Sequence, residues 1–86
     1  MKAHEYGRAL PFARKAVRTA RKGSVTRGYA TFNLGYTLLE LGRCQESLGP
    51  LERALKIEAK PLRKYIRPQI KRAQACAQGA ASAPGP

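Results

Sequence analysis

A catalytic reading of this chain has little to work with. His4 is the only histidine, and it lies in an N-terminal segment expected to fray, where a general base cannot be held within reach of a proton. The five acidic residues, Glu5, Glu40, Glu46, Glu52 and Glu58, are scattered, and most sit near a Lys or Arg. No phosphate-cradling loop and no nucleophile motif occurs. Cys44 and Cys76 do not form a CxxC, and His4 is too distant in sequence to complete a zinc site. An enzyme, a bound cofactor and a metal centre are therefore not expected. A cysteine pair in a small cytoplasmic protein is most often two reduced, partly buried thiols. The chemistry that remains is contact chemistry, in the aromatic residues Tyr29, Phe32 and Tyr36.

Those aromatics belong to the stretch Tyr29–Leu41, YATFNLGYTLLEL. No charge falls between Gly28 and Leu39, although the chain as a whole carries a formal net charge of +12. At 3.6 residues per turn, Ala30, Leu34, Leu38 and Leu41 form one apolar row. Tyr29, Phe32, Tyr36 and Leu39 form another on roughly the opposite side. A helix apolar on two faces must be covered on two faces or carry an exposed binding stripe.

Eighty-six residues make one small domain, which buries only ~60% of the surface its unfolded chain exposes. Apolar residues recur at three and four and no run alternates apolar with polar, so the fold class is all-α. Charge is unevenly placed. Residues 1–27 hold eight Lys or Arg against one Glu, residues 28–60 hold four of each sign, and residues 61–86 hold five basic residues and no acid. Two basic ends flanking a neutral centre attract acidic proteins, nucleic acid or anionic lipid. No apolar run reaches the length of a membrane span, and the N-terminus lacks a secretory signal. A cytoplasmic setting is the expectation.

Taken in order, residues 4–22 read as a first helix that begins or bends at Pro11 and stops at Gly23–Ser24. Ser24 or Thr26 can cap a second helix, over about residues 27–41. Gly35 inside it costs ~1 kcal/mol relative to Ala, which points to another helix passing too close for a side chain. Gly42 ends it. A third helix, about residues 44–59, has Leu48, Leu51, Ala54, Leu55 and one of Ile57 or Glu58 inward. It is distorted near Glu46–Pro50, because a proline in a helix interior costs ~3 kcal/mol. Burial of its leucines outweighs that. Pro61 suits the first turn of a fourth helix, which Pro68 should kink or split. Residues 1–78 thus make a helical domain, and the small-residue tail 79–86 is expected to be disordered. If the third and fourth helices are antiparallel, Cys44 and Cys76 come together, and a disulfide is open to them in an oxidising compartment.

The chain also repeats itself at an offset of 38. LPFARKAVRTARK from Leu10 aligns with LGPLERALKIEAK from Leu48, so that Ala9 matches Ser47, Ala16 matches Ala54 and Tyr6 falls opposite Cys44. This is the spacing of a helix-pair repeat, and the sequence resembles the tetratricopeptide repeat (TPR) family. Thr31 stands in the tryptophan slot, Leu34–Gly35 in the Leu-Gly slot and Leu38 in the tyrosine slot. Ser47, Leu51 and Ala54 fill the second-helix slots, and Pro61 follows two residues late. Ala9, Ala13 and Ala16 repeat the second-helix slots one unit earlier, with Tyr6 in an aromatic slot the family often fills. The resemblance covers about residues 5–61 and includes one complete helix pair, preceded by a half-repeat and followed by a capping helix.

That resemblance implies about four helices in antiparallel pairs, forming a fragment of a right-handed superhelix that acts as a protein-interaction scaffold. In the family the first helix of each pair lines a concave groove for peptides. The carry-over places Tyr29, Phe32, Asn33, Tyr36, Leu39 and Glu40 on that groove. Phe32 and Tyr36 stand where a carboxylate clamp would need lysine and asparagine, so the expected contacts are aromatic and apolar. Asn33 is a candidate hydrogen-bond partner for a peptide backbone. Partners implied are a protein or peptide, acidic given the basic ends, or a second copy in a homodimer. The alternative is a basic helical domain that binds nucleic acid, with Tyr65 set among Arg63, Lys64 and Arg67.

Overall fold

The computed structural model describes residues 3–56 and 62–82. Within them the chain is all-helical: α1 (Ala3–Thr19), α2 (Val25–Glu40), α3 (Cys44–Lys56) and α4 (Arg63–Ser82). Each helix runs antiparallel to the one before it. No helix among the described residues is long and apolar enough to cross a membrane.

The turns follow from their residues. Ser24 caps α2: its hydroxyl accepts from the Arg27 N–H at 3.1 Å and donates to the Arg21 carbonyl at 2.6 Å. Thr26 lies inside the helix. The far end of α2 closes on Gly42, whose φ of +79° is costly for any residue with a Cβ. There the Gly42 N–H reaches the Leu39 carbonyl and the Arg43 N–H reaches that of Leu38, both at 2.9 Å. These two bonds make a Schellman ending and satisfy carbonyls the helix would leave open.

All three internal prolines lie inside continuous helices: the third helix runs through Pro50 as expected, whereas a start of the first helix at Pro11 and a split of the fourth at Pro68 are corrected. α1 begins at Ala3 and continues through Pro11, α3 continues through Pro50, and α4 continues through Pro68. In each case the carbonyl that loses its partner, four residues back, belongs to an exposed residue: Gly7, Glu46 or Lys64. Water can therefore bond it, and inward anchors on either side hold the helix together. Leu10 and Val17 do so for α1, Cys44 and Leu51 for α3, and Ile66 and Ala73 for α4. α4 also runs past Gly79 to Ser82, so the expected tail boundary at 79 is corrected. Ala80 and Ala81 favour helix, and the next proline is Pro84. Ile57, Glu58, Pro61 and residues 83–86 lie outside the described residues.

α2 is the sandwiched element. On one side Leu34 and Leu38 pack with Leu10, supported by Ala13, Val17 and Leu41. On the other, Leu39 packs with Cys44, Leu51 and Ala73. A further cluster of Ala54, Leu62 and Ile66 joins α3 to α4, and Phe32 and Ile70 touch both of these clusters. At Gly35 a Cβ would lie 2.7 Å from Leu51 Cγ and 3.1 Å from the Leu51 backbone nitrogen. The glycine thus marks the close passage of α3 that its presence in a helix interior implied.

Cys44 and Cys76 form a disulfide, with Cα atoms 5.9 Å apart. The expectation of two reduced thiols is corrected here. Antiparallel packing sets the first turn of α3 beside the C-terminal turns of α4, and the separation falls within the range a disulfide spans.

Candidate interaction surface

The six residues carried over from the resemblance do not share one environment. Tyr29 is 42% exposed, Asn33 is exposed, and Phe32, Tyr36 and Glu40 are half-buried. Leu39 is 5% exposed and belongs to the core between α2 and α3. It cannot meet a partner, and its place in the set is corrected. The reason is angular: Leu39 follows Gly35 by four, so it shares the side of α2 against which α3 passes. Phe32 sits at the boundary, packed on the α3 and α4 core along one edge and tilted against the Tyr36 ring on the other, at 6.1 Å between centroids.

Two helices outside α2 complete this surface. Tyr6 of α1 brings its ring to 6.3 Å from that of Tyr36. Arg72 of α4 donates from Nη2 to Glu40 Oε1 at 2.5 Å and from Nη1 to Gln69 Oε1 at 2.9 Å. The row Tyr6–Tyr36–Phe32 and the pair Glu40–Arg72 therefore converge from α1, α2 and α4. Glu40 holds the Arg72 guanidinium more firmly protonated, chiefly through their hydrogen bond. The sequence does not single out Arg72, because nothing local ties it to a glutamate 32 residues away. The available signal was that Glu40 has no basic residue one turn before it in α2.

Burial, then the neighbouring Tyr36 and Glu40, push the Tyr6 phenol above its usual range. The fold thus favours the protonated phenol. That contribution is complete below the ordinary tyrosine value and is lost as pH rises through the raised one. The absorbance titration of the wild type minus that of a Tyr6→Phe variant should show one phenol ionising later than free tyrosine. A difference curve with its midpoint at or below the free value would refute this arrangement.

Arg43 pairs with Glu46 at 2.6 Å on the exposed first turn of α3. Both side chains are well hydrated, so the pair contributes at most ~1 kcal/mol. Among the described residues no group of three or more His, Cys, Asp or Glu side chains is placed to hold a metal ion. The chain matches no protein-family model, no curated protein and no solved structure.

Proposed function

We propose that this protein is a non-catalytic protein-interaction module of the tetratricopeptide type, in which α1, α3 and α4 hold α2 so that its outward strip meets a peptide or a partner helix. The observation that carries the proposal is the strip itself. A helix buried on two sides still turns Tyr29, Asn33 and the outer edges of Phe32 and Tyr36 toward solvent, and places an ion pair at one end. Aromatic anchors beside a polar group are the composition of interface hot spots. A rigid backing keeps them from collapsing inward, which reduces the ordering cost of binding. The Cys44–Cys76 disulfide supports an oxidising compartment in place of the cytoplasmic setting expected from the sequence.

Panning a peptide library on the folded, oxidised protein and measuring the selected peptide by fluorescence anisotropy tests the proposal. Tyr29→Ala and Tyr36→Ala should each weaken binding by at least ~10-fold, as truncated hot spots do. Tyr29→Ala should lower the thermal melt only slightly, because Tyr29 is 42% exposed and belongs to none of the buried clusters. Unaltered affinity in both variants would reject the α2 strip as the binding surface.

One observation supports the nucleic-acid alternative. Tyr65 is 55% exposed, the Lys64 ammonium lies 5.2 Å from its ring centroid, and Arg63 and Arg67 are exposed beside it. Single-strand binders combine basic residues with a stacking ring in this way. If this reading holds, affinity for an oligonucleotide should fall steeply with salt and depend on Tyr65 rather than Tyr29.

A further inference from the structure

The two halves of the internal repeat are buried very differently. On α3, Ser47, Leu51 and Ala54 are each 0% exposed, and Pro50 is buried too. α2 lies against this side, as the close approach of Gly35 to Leu51 shows. Thirty-eight residues earlier, the matching positions on α1 are Ala9, Phe12, Ala13 and Ala16. None of them is buried: Ala9 and Ala13 are half-covered, Ala16 is exposed, and Phe12 is 75% exposed. α1 thus presents the face that α3 uses to receive a helix: its Ala13 edge rests on the α2 cluster, but among the described residues no buried cluster takes in Ala9, Phe12 or Ala16, and a phenylalanine stands in water.

Charge says what kind of helix would fit. Glu5 is the one acidic residue of α1. Against it stand six basic ones: Arg8 and Lys15 lie one step round α1 from Phe12 at helical spacing, Arg14 and Arg18 lie further round, and Arg21 and Lys22 follow in the connection beyond Thr19. All six are exposed. A second copy would bring the same basic segment against this one and be repelled. Nucleic acid and anionic lipid both suit the basic row. However, alanines add little to stacking or insertion, whereas alanines beside one large apolar side chain let a second helix approach to within ~8–10 Å of the first axis.

We infer that the Ala9–Phe12–Ala16 face of α1, bounded by the half-covered Ala13, docks an amphipathic, acidic helix of a partner protein, with Phe12 as its anchor and Arg8 and Lys15 at its edge. This surface belongs to α1 and is separate from the α2 strip. Its partner seats an apolar row on the alanines, sets Phe12 between its own side chains, and turns glutamates toward the basic edge.

The probe is a fluorescein-labelled helical peptide of about five turns, ~18 residues, with leucines on one face and glutamates on the other. A control of identical composition has its leucines scattered. At near-physiological salt the amphipathic peptide should bind at least ~10-fold more tightly than the control. Phe12→Ala should remove at least ~10-fold of that affinity and Phe12→Leu should restore most of it. Arg8→Glu with Lys15→Glu should weaken binding and flatten its salt dependence. Tyr29→Ala should change nothing, which keeps this result apart from that of the α2 strip. Circular dichroism of each variant confirms folding, and the largely solvated Phe12 ring makes its removal harmless to the fold. Equal binding of the scattered control, an unchanged affinity in Phe12→Ala, or tighter binding to phosphatidylserine vesicles or single-stranded RNA under the same conditions would each overturn the inference.

Discussion

Reducing the Cys44–Cys76 disulfide is expected to lower the unfolding free energy by about 3.5–4 kcal/mol. The two cysteines are 32 residues apart, and closing a loop of that length removes roughly this much chain entropy from the unfolded state. For a domain of this size, each kcal/mol corresponds to ~4–8 °C in Tm, so the melt should fall by roughly 15–30 °C. The loss should centre on α4. That helix covers the α3 core through Ile66 and Ala73, but its hydrogen-bonded tie to α2 is the half-exposed Arg72–Glu40 pair. Thermal melts with and without reductant measure the effect. Cys76→Ser, which changes the exposed member of the pair, should reproduce it and abolish any further response to reductant. A shift below ~5 °C, or two titratable thiols in protein never exposed to reductant, would show that the bridge does not hold the fold in solution.

Leu51→Ala should be the most damaging of the simple core truncations. Leu51 is 0% exposed and meets Leu39, Cys44 and Ala73. Truncating a leucine in such a place costs about 2–5 kcal/mol, depending on how far the site can collapse. The facing glycine makes the prediction sharper. Gly35→Ala gains ~1 kcal/mol of helix propensity, but its Cβ would lie 2.7 and 2.8 Å from Leu51 Cγ and Cδ2. Overpacking of that kind costs ~1–3 kcal/mol, and a fully buried leucine has nowhere to move, so the single variant should be destabilised. In a Leu51→Ala background both clashing carbons are gone, and of the three nearest atoms the backbone nitrogen at 3.1 Å remains. Gly35→Ala should then become neutral or stabilising. Urea denaturation of the four proteins of this cycle should give a coupling of at least ~1 kcal/mol. Additive losses would mean that α2 and α3 do not meet at this pair.

Much of the fold was legible because it is locally encoded. The apolar rows of α2, the cap at Ser24, the ending at Gly42 and the close passage at Gly35 each depend on residue type and helical spacing within a few turns. Taken as helix boundaries, Pro11 and Pro68 misled for an equally local reason. Their cost is intrinsic to the helix, whereas the compensation comes from water at exposed carbonyls and from leucines anchored in other helices. The surface was harder to read than the fold. Helical spacing placed Leu39 with Tyr29 and Tyr36, but whether a given side of α2 is a groove or a core depends on the angle at which α3 crosses it.

The amino-acid sequence by itself determined four helices, a doubly apolar second helix, a basic first helix and a repeat at 38 residues, since each of these is a pattern along one chain. Only the tertiary structure decided that Arg72 meets Glu40, that Tyr6 leans on Tyr36, that the cysteines pair, and that Phe12 stands uncovered where Pro50 is buried. Those facts join residues tens of positions apart, and composition cannot say which of many compact arrangements brings such residues together. Packing chooses among them, and here it sets Leu51 in the space that Gly35 leaves open, where a Cβ would lie 2.7 Å from Leu51 Cγ.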